Sequence, residues 1–259
     1  MTVKSNHELI SRLWILLGVL SFLVTVLSQI PASVFAMFVD EDRTGLAYSN
    51  VTGTIWNGAI ERLSINGVLI GQVNFKMSPI SIAMLSPRVR LSARDGAVLG
   101  KGAVSVGFGS RVSFSDVHAQ IDLNAVAPTG ILGRPAQGIA EVSIDRLTFS
   151  QRHGCQNAQG SVWTNVLNAP ARRYELPDLP LSGDMQCEEQ ALLVAVSGNN
   201  DRAGVDLLVR VQPDLTYEVS AVARPSEAEL ASALRLFGFE GDADTMTYGA
   251  AGVFKGPGT

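Results

Sequence analysis

The chain has 259 residues, of which 17% are charged and 46% hydrophobic, and 24 acidic residues against 20 Lys and Arg give a formal net charge of −4. This composition excludes a disordered tail, a collagen-like fibre and a basic nucleic-acid-binding protein, so we expect no nucleic acid among its partners. A polytopic transporter is also excluded, because only one segment is long and apolar enough to cross a bilayer. Two cysteines are too few for a disulfide scaffold.

The N-terminal segment predicts a single transmembrane helix. Residues 13–39 contain no charged residue, and Leu13–Ile30 would rise ~27 Å as a helix, close to the ~30 Å thickness of a hydrocarbon core. Lys4 and Arg12 precede this segment. The positive-inside rule therefore places the N-terminal tail, residues 1–12, in the cytoplasm and everything after the segment across the membrane.

A cleaved secretory signal peptide is the alternative interpretation of the same segment. Val34-Phe35-Ala36 has small residues at the positions that a signal peptidase reads. The apolar core is nevertheless longer than the ~7–15 residues that are usual in a signal peptide, so we favour an uncleaved anchor. In both cases residues 40–259 lie outside the cytoplasm.

Two cysteines, Cys155 and Cys187, lie beyond the anchor. An oxidising compartment allows them to pair, and the bridge would close about 33 residues, which corresponds to roughly 3–4 kcal/mol in the chain-entropy model. The alternative is two free thiols that pack as small buried hydrophobes. We expect the disulfide because of the compartment.

Beyond the anchor, apolar and polar residues alternate with a period of two, which is typical of half-buried strands. The turn signals Asn66-Gly67 and Asp95-Gly96 lie between such runs and predict hairpins. We therefore predict a mainly β fold, a rolled and mostly antiparallel sheet with one apolar face. The apolar positions of the predicted strands are Leu63 and Ile65; Val73, Phe75 and Met77; Ile80, Ile82 and Met84; Val89, Leu91 and Ala93; Val104, Val106 and Phe108; Val117, Ala119, Ile121 and Leu123; Ala140, Val142 and Ile144; Leu192, Val194 and Val196; Val205, Leu207, Val209 and Val211; and Leu215, Tyr217, Val219 and Ala221.

One amphipathic helix is predicted near the C-terminus. Ser226 and Glu229 have the spacing of a capping box, which marks the start of a helix. A single apolar stripe follows at Leu230, Ala233, Leu234 and Phe237. Packing of this stripe on the sheet is the ordinary case, and a partner protein that contacts Leu230, Leu234 and Phe237 is the alternative.

The rest of the chain divides by composition. Residues 40–238 are expected to form the β domain, in which the Gly-, Pro- and Ala-rich stretch 124–138 is a candidate boundary between two halves. Residues 239–259 are Gly-rich and predict a poorly packed tail.

Two short segments resemble each other and suggest a duplicated strand. Gly53–Asn57 (GTIWN) is similar to Gly160–Thr164 (GSVWT), 107 residues later. Each contains a tryptophan, Trp56 or Trp163, beside glycines. We expect both side chains to serve as core or sheet-edge anchors rather than as a ligand cage.

No motif in the sequence predicts catalysis or a metal site. His153 lies near Cys155, but the spacings of zinc-binding motifs are absent. The nucleophile elbow of hydrolases and the phosphate-binding loop of nucleotidases are absent as well. We therefore predict that the protein is not an enzyme and has no catalytic residues, metal or cofactor.

Several segments together resemble the type II secretion system protein N family, also called general secretion pathway protein N. Val51–Gly58 (VTGTIWNG) is similar to the family's V-x-G-T-x-W-x-G segment. Gly71–Pro79 is similar to its G-x-V-x-W-x-x-x-P stretch, with Phe75 in place of the expected Trp, and Val112–Val117 looks like a family strand. The family's closing pattern is matched by Pro213, Tyr217, Pro225 and the predicted helix at 230–238.

This resemblance implies an inner-membrane, periplasm-facing component of the machinery that exports folded proteins through an outer-membrane secretin. It implies partners among the other inner-membrane or secretin components and brings no catalytic residues. A periplasmic lipid-handling module, whose rolled sheet keeps an apolar trough open for acyl chains, is the alternative; a hydrolase ranks below both because no nucleophile and base can be named. The residues expected to anchor the fold are Trp56, Trp163, Gly53, Gly58 and Pro79.

Overall fold

The computed structural model describes residues 14–19, 21–22, 25–26, 28–36, 45–65, 67–83, 86–107, 111–126, 136–150, 152–173, 175–214, 216–236, 238–242 and 244–253. The predicted positions that lie outside these residues are 1–12, Asn66, Met84, Phe108, Leu215 and Phe237.

Strands dominate the described residues, and the helices are few and short. The strands are β1 (Leu46–Ala47), β2 (Asn50–Thr54), β3 (Asn57–Ile65), β4 (Val68–Met77), β5 (Arg88–Arg94), β6 (Val98–Gly107), β7 (Arg111–Asp122), β8 (Ile139–Ser150), β9 (Gly154–Thr164), β10 (Leu181–Glu188), β11 (Ala191–Asn199), β12 (Ala203–Val211), β13 (Thr216–Pro225), β14 (Glu240–Gly241) and β15 (Met246–Val253). The helices are Ser33–Ala36, Pro79–Ala83, Leu123–Val126, Asn168–Arg173 and Ala228–Leu236.

The described strands form one open sheet in which every pairing is antiparallel, as predicted. Their order is β1-β3-β4-β5-β6-β7-β8-β9-β10-β11-β12-β13-β15-β14, and β2 pairs with β3 beside this path. Tight turns explain why consecutive strands are neighbours: Gly67 (φ 82°) and Asp95 (φ 63°) have the positive φ that their hairpins need. β7 pairs directly with β8, from Asp122 opposite Ile139 to Arg111 opposite Ser150, so the sheet is continuous across the candidate boundary at 124–138.

Alternation along the strands gives the sheet one apolar face. In the middle of the sheet, Val104 lies opposite Phe114, which lies opposite Leu147. Leu147 is buried, whereas Val104 and Phe114 are only half-buried. The two largest fully buried side chains of the described residues, Leu181 and Met246, belong to β10 and β15. The best-packed core therefore lies in the C-terminal part of the sheet.

The helix Ala228–Leu236 contacts β13 next to this core, and its Ala231 is 1% exposed. This agrees with the expectation that the helix packs on its own sheet. Its start differs from the capping-box prediction, because the first helical hydrogen bond runs from the amide of Ala231 to the carbonyl of Glu227. Glu227 rather than Ser226 precedes the helix, since Ser226 is held in the sheet by a bond from its amide to the carbonyl of Arg202.

Two sequence expectations are wrong. The run Ile80, Ile82 and Met84 was expected to be a strand, but Pro79–Ala83 is a short helix in which Ile80 is 67% exposed. Proline suits the first position of a helix because its missing amide has no partner there. The expected poorly packed tail contains β15, which pairs with β13 along its whole length, from Met246 opposite Ala223 to Val253 opposite Thr216.

The predicted anchor is described only in part. Residues 14–19, 21–22, 25–26 and 28 are helical, and no helix among the described residues has the length and apolarity needed to span a membrane. The chain that follows is attached to the sheet, because Ile55 donates its amide to the carbonyl of Ile30 (3.1 Å) and Ala32 donates to Gly53 (3.0 Å). Ala32 is 3% exposed at this junction.

Candidate functional site

The disulfide predicted between Cys155 and Cys187 is present and joins β9 to β10. These strands pair only from Leu181 opposite Thr164 to Asp184 opposite Ser161. Beyond Asp184 no further pairs follow, so the disulfide connects the two strands where their ladder has ended. Both cysteines lie on strands.

The residues predicted as structural anchors occupy different settings. Gly53 (φ 88°) lies within β2, which ends at Thr54 before the turn that contains Trp56. The carbonyl of Trp56 accepts a 2.8 Å hydrogen bond from the amide of Met77. Trp163 lies within β9, opposite Ser182 on β10. The two similar segments are therefore a hairpin turn and a strand interior, and the suggested duplication is not seen in the structure.

A cavity of about 310 Å³ lies beneath the C-terminal helix. Its floor consists of side chains from the apolar face of β12 and β13, in the cross-strand pairs Val205 with Ala223 and Leu207 with Ala221. The opposite walls come from the helix and from the segment between β9 and β10. The residues of these walls are Leu230 and Leu234 of the helix, and Leu167, Leu176 and Leu179 of the segment.

The aromatic pair Phe239 and Tyr248 closes one part of the cavity. The ring centroids lie 5.4 Å apart and the planes are inclined at 34°. Tyr248 belongs to β15 and lies opposite Ala221, so its ring extends the floor beyond β13. The residues that were expected to form a loose tail thus supply part of the cavity wall.

Polar groups are scarce around the cavity. Gln137, Arg173 and Tyr248 contribute the polar side chains, and no carboxylate is found among the described residues that line it. Arg173 is exposed, and within the described part of the chain it forms no ion pair, whereas its neighbour Arg172 pairs with Asp178 at 2.9 Å. The described lining residues therefore give the cavity an apolar interior, and Arg173 is the one among them that carries a positive charge.

Polar contacts outside the cavity fix its walls. Leu179 is positioned by a 2.9 Å bond from its amide to Oδ1 of Asn168. The hydrogen bonds from the Arg172 guanidinium lower the pKa of the Asp178 carboxyl and raise that of Arg172, although both groups are solvent-exposed. On the helix side, Glu227 accepts a hydrogen bond from Nε of Arg202 (2.8 Å), and the same carboxylate oxygen contacts Nη2.

The outer edge of β15 is the second feature with functional potential. β15 pairs with β13 on one side, but on the other side β14 covers only Met246 and Thr247. Among the described residues, no strand pairs with the outer edge from Tyr248 to Val253. That segment contains no charged residue and no proline.

The described residues contain no group of three or more His, Cys, Asp and Glu side chains that could hold a metal ion. His118 lies 3.2 Å from the hydroxyl of Ser143 on the neighbouring strand, and His153 is exposed. Cys155 and Cys187 are consumed by the disulfide. The described residues that line the cavity are mostly apolar, and such a lining suits the binding of an apolar group.

Leu230 and Leu234, which the sequence predicts on one apolar stripe, both line the cavity. Phe237, the third residue predicted there, lies outside the described residues. The cavity wall that comes from the segment between β9 and β10 was not predicted from the sequence, because Val166–Leu179 has neither a period of two nor a complete helical period. The available signal was its apolar content, with Leu167, Leu176 and Leu179 in a short irregular segment.

Comparison with known proteins gives a consistent assignment. The chain matches the family described as "Type II secretion system (T2SS), protein N" over residues 44–247. It is 26% identical over 200 residues to the type II secretion system protein N of Vibrio cholerae serotype O1 (strain ATCC 39315 / El Tor Inaba N16961), covering 74% of this chain and 77% of that protein. No solved structure matches it. Since the family match spans most of the chain, this protein belongs to the type II secretion system protein N family.

Proposed function

We propose that this secretion-machinery component is non-enzymatic, is anchored in the inner membrane by its N-terminal segment, and acts in the periplasm through protein–protein contacts. Family membership supports a place in the machinery. The observation that carries the mode of action is the outer edge of β15. The partners are other inner-membrane or secretin components of the same system.

An edge strand presents a row of backbone amides and carbonyls that another strand can pair with. Proteins that do not use such an edge commonly protect it with a charged side chain, a proline or a bulge. Tyr248–Val253 contains neither a charged residue nor a proline, and its pairing register with β13 is regular, without a bulge. Its small residues, Gly249 and Ala251 among them, also allow close approach. We therefore assign sheet extension to this edge.

The N-terminal segment supports membrane attachment. Its uncharged stretch, residues 13–39, is itself hydrogen-bonded to the β2–β3 hairpin through Ile30 and Ala32. An anchor at this end lies far along the strand order from β15, because β3, which pairs with β2, and β15 lie near opposite ends of the path. The β2–β3 hairpin, where the proposed anchor attaches, and the outer edge of β15 are thus separate parts of the sheet.

A lysine placed on the outer edge of β15 tests the proposed protein–protein contact. Ala251→Lys adds an exposed charge beside Glu218 of β13, its cross-strand neighbour, so the fold is retained while an incoming strand is disfavoured. We expect secretion of a folded substrate to fall in cells that rely on this variant. A photo-crosslinking residue at Gly249 should form adducts with other secretion components, and Ala251→Lys should abolish them.

Ser182→Lys is the matched control, because Ser182 is equally exposed but lies on β10, an interior strand that is paired on both sides. It should leave both secretion and the crosslinks unchanged. Normal secretion by Ala251→Lys, together with an absence of adducts at Gly249, would rule out contact through this edge.

Lipid handling is the second candidate function, and the cavity beneath the C-terminal helix favours it. Side chains of the apolar face, such as Val104 and Phe114, are half-buried, and the cavity itself has an apolar lining. In this second function the apolar face accommodates acyl chains of the inner membrane.

A further inference from the structure

The cavity exists because small side chains lie where larger ones would fit. Ala221 and Ala223 are 6% and 2% exposed, and they face Leu207 and Val205 across the strand pair. Protein interiors are close-packed, and atoms that line an empty space lose dispersion contacts. Alanines at two successive inward positions of β13 therefore forgo packing that leucines would supply. A bound apolar group restores those contacts.

The size of the cavity restricts what it holds. Ligand pockets usually enclose ~300–1,000 Å³, so 310 Å³ lies at the lower end of that range. This volume suits one alkyl chain better than the paired chains of a bilayer phospholipid. The walls are aliphatic and aromatic, from Leu207 on the floor to Leu234 of the helix and the ring of Phe239.

The charge at the wall selects the head group. Arg173 is the cation of the lining, it is exposed, and it has no carboxylate partner within the described part of the chain. With no acidic residue among the described lining residues, the local charge is positive. A guanidinium pairs well with a carboxylate, because its parallel N–H groups match the two oxygens.

We infer that the cavity binds a single long-chain fatty acid, with the alkyl chain against Leu207, Ala221 and Leu234 and the carboxylate at Arg173. The inference rests on the second candidate function, lipid handling, and names its ligand class and its site. It does not depend on the proposed pairing at the outer edge of β15.

Photolabelling of the full chain in membranes tests it. The probe is palmitic acid that carries a diazirine in mid-chain, and labelled peptides are identified by mass spectrometry. Label is expected in peptides that contain Ala203–Ala223 and Leu230–Leu234. Two further probes test which part of the ligand is recognised. The corresponding diazirine alcohol lacks the carboxylate, and a diazirine phosphatidylcholine has two chains. Both should label these peptides less than the fatty acid.

Two substitutions localise the binding. Ala221→Leu fills the cavity and should abolish labelling of these peptides, whereas Ala195→Leu, the same change on an exposed side chain of β11, should not. Arg173→Gln retains the cavity and should weaken competition by unlabelled palmitate about two- to fivefold, the range for an exposed ion pair. Arg235→Gln, an exposed arginine outside the lining, is its control.

The outcomes are distinct. Label confined to residues 13–39 would overturn both the inference and the lipid-handling function. Label on the half-buried face of β3–β7 that Ala221→Leu does not change would leave lipid handling in place and refute the cavity site. Equal labelling by the acid and the alcohol, with no effect of Arg173→Gln, would refute the carboxylate. Stronger labelling by the phosphatidylcholine would refute a single chain. If Ala221→Leu fails to fold, the Arg173→Gln and probe comparisons still decide the question.

Discussion

The ring of Phe75 on β4 lies over Gly58 on β3, its cross-strand neighbour. A Cβ atom at position 58 would lie 2.6 Å from Cζ of Phe75 and would also meet the backbone carbonyl of Thr52. The glycine is therefore required by close packing from two sides. Two segments of the family resemblance, VTGTIWNG and GQVNFKMSP, meet at this contact between a glycine and an aromatic ring.

Gly58→Ala is expected to lower the free energy of unfolding by about 1–3 kcal/mol, because overpacking forces the Phe75 ring and the β2–β3 ladder apart. Denaturant unfolding of the full chain measures the change. Gly249→Ala is the control, since nothing lies within 4 Å of a Cβ added there, and it should shift stability by no more than about 0.5 kcal/mol. Equal effects of the two substitutions would contradict the contact.

Much of the fold follows from the sequence. Val73–Met77 was predicted as a strand from its strict alternation, and Val205–Val211 from the apolar residues at every second position. The Gly67 and Asp95 turns were predicted because they need positive φ. Ile80 and Ile82 also alternate, yet they are helical. A run this short, next to a proline, does not distinguish the two periods.

β9, β10 and β15 were hard to predict for a different reason. β15 reads MTYGAAGV, in which small residues replace the apolar ones, so that alternation is lost. It is a strand because β13 offers it an edge and because Met246, 0% exposed, is buried in the core. Such tertiary stabilisation is absent from local sequence. The cavity was unpredictable for the same reason, since its walls come from segments far apart in the chain.

Removal of the disulfide is expected to destabilise the end of the β9–β10 pair. The bond links residues 32 apart in sequence. Loop-closure entropy predicts that the double variant Cys155→Ser/Cys187→Ser loses roughly 3–4 kcal/mol of unfolding free energy. Hydrogen exchange should accelerate most in Met185–Glu188, where β10 lacks β9 as a partner, and least in Leu181–Asp184, where the ladder is intact. Uniform acceleration along β10 would show that the disulfide does not act locally.

The contact between Arg202 and Glu227 is expected to hold the C-terminal helix at the cavity. Both side chains are about two-fifths exposed, at 40% and 41%, so the interaction is screened in part. A double-mutant cycle with Arg202→Gln and Glu227→Gln should give a coupling of about 0.5–1 kcal/mol in denaturant unfolding. Glu229→Gln changes a carboxylate two residues further along the chain that forms no ion pair with Arg202 among the described residues, and it should show no coupling with Arg202→Gln. A coupling for Glu229 as large as that for Glu227 would contradict the assigned pair.

The pair Arg172 and Asp178 predicts an acid-sensitive cavity wall. Hydrogen bonding from Arg172 lowers the pKa of Asp178 in the folded protein, below the value of about 3.9 that is usual in unfolded chains. A carboxyl whose folded pKa is depressed contributes stability that is fully present above its unfolded pKa and is lost as the pH falls through the folded pKa. Carbon-detected NMR titration should therefore show Asp178 protonating at a lower pH than an aspartate of the unfolded chain, with the resonances of Leu176 and Leu179 changing as it protonates. In Arg172→Gln the pKa of Asp178 should rise toward its usual value, whereas Arg235→Gln should leave it unchanged. A depressed pKa that persists in Arg172→Gln would show that another group stabilises the carboxylate.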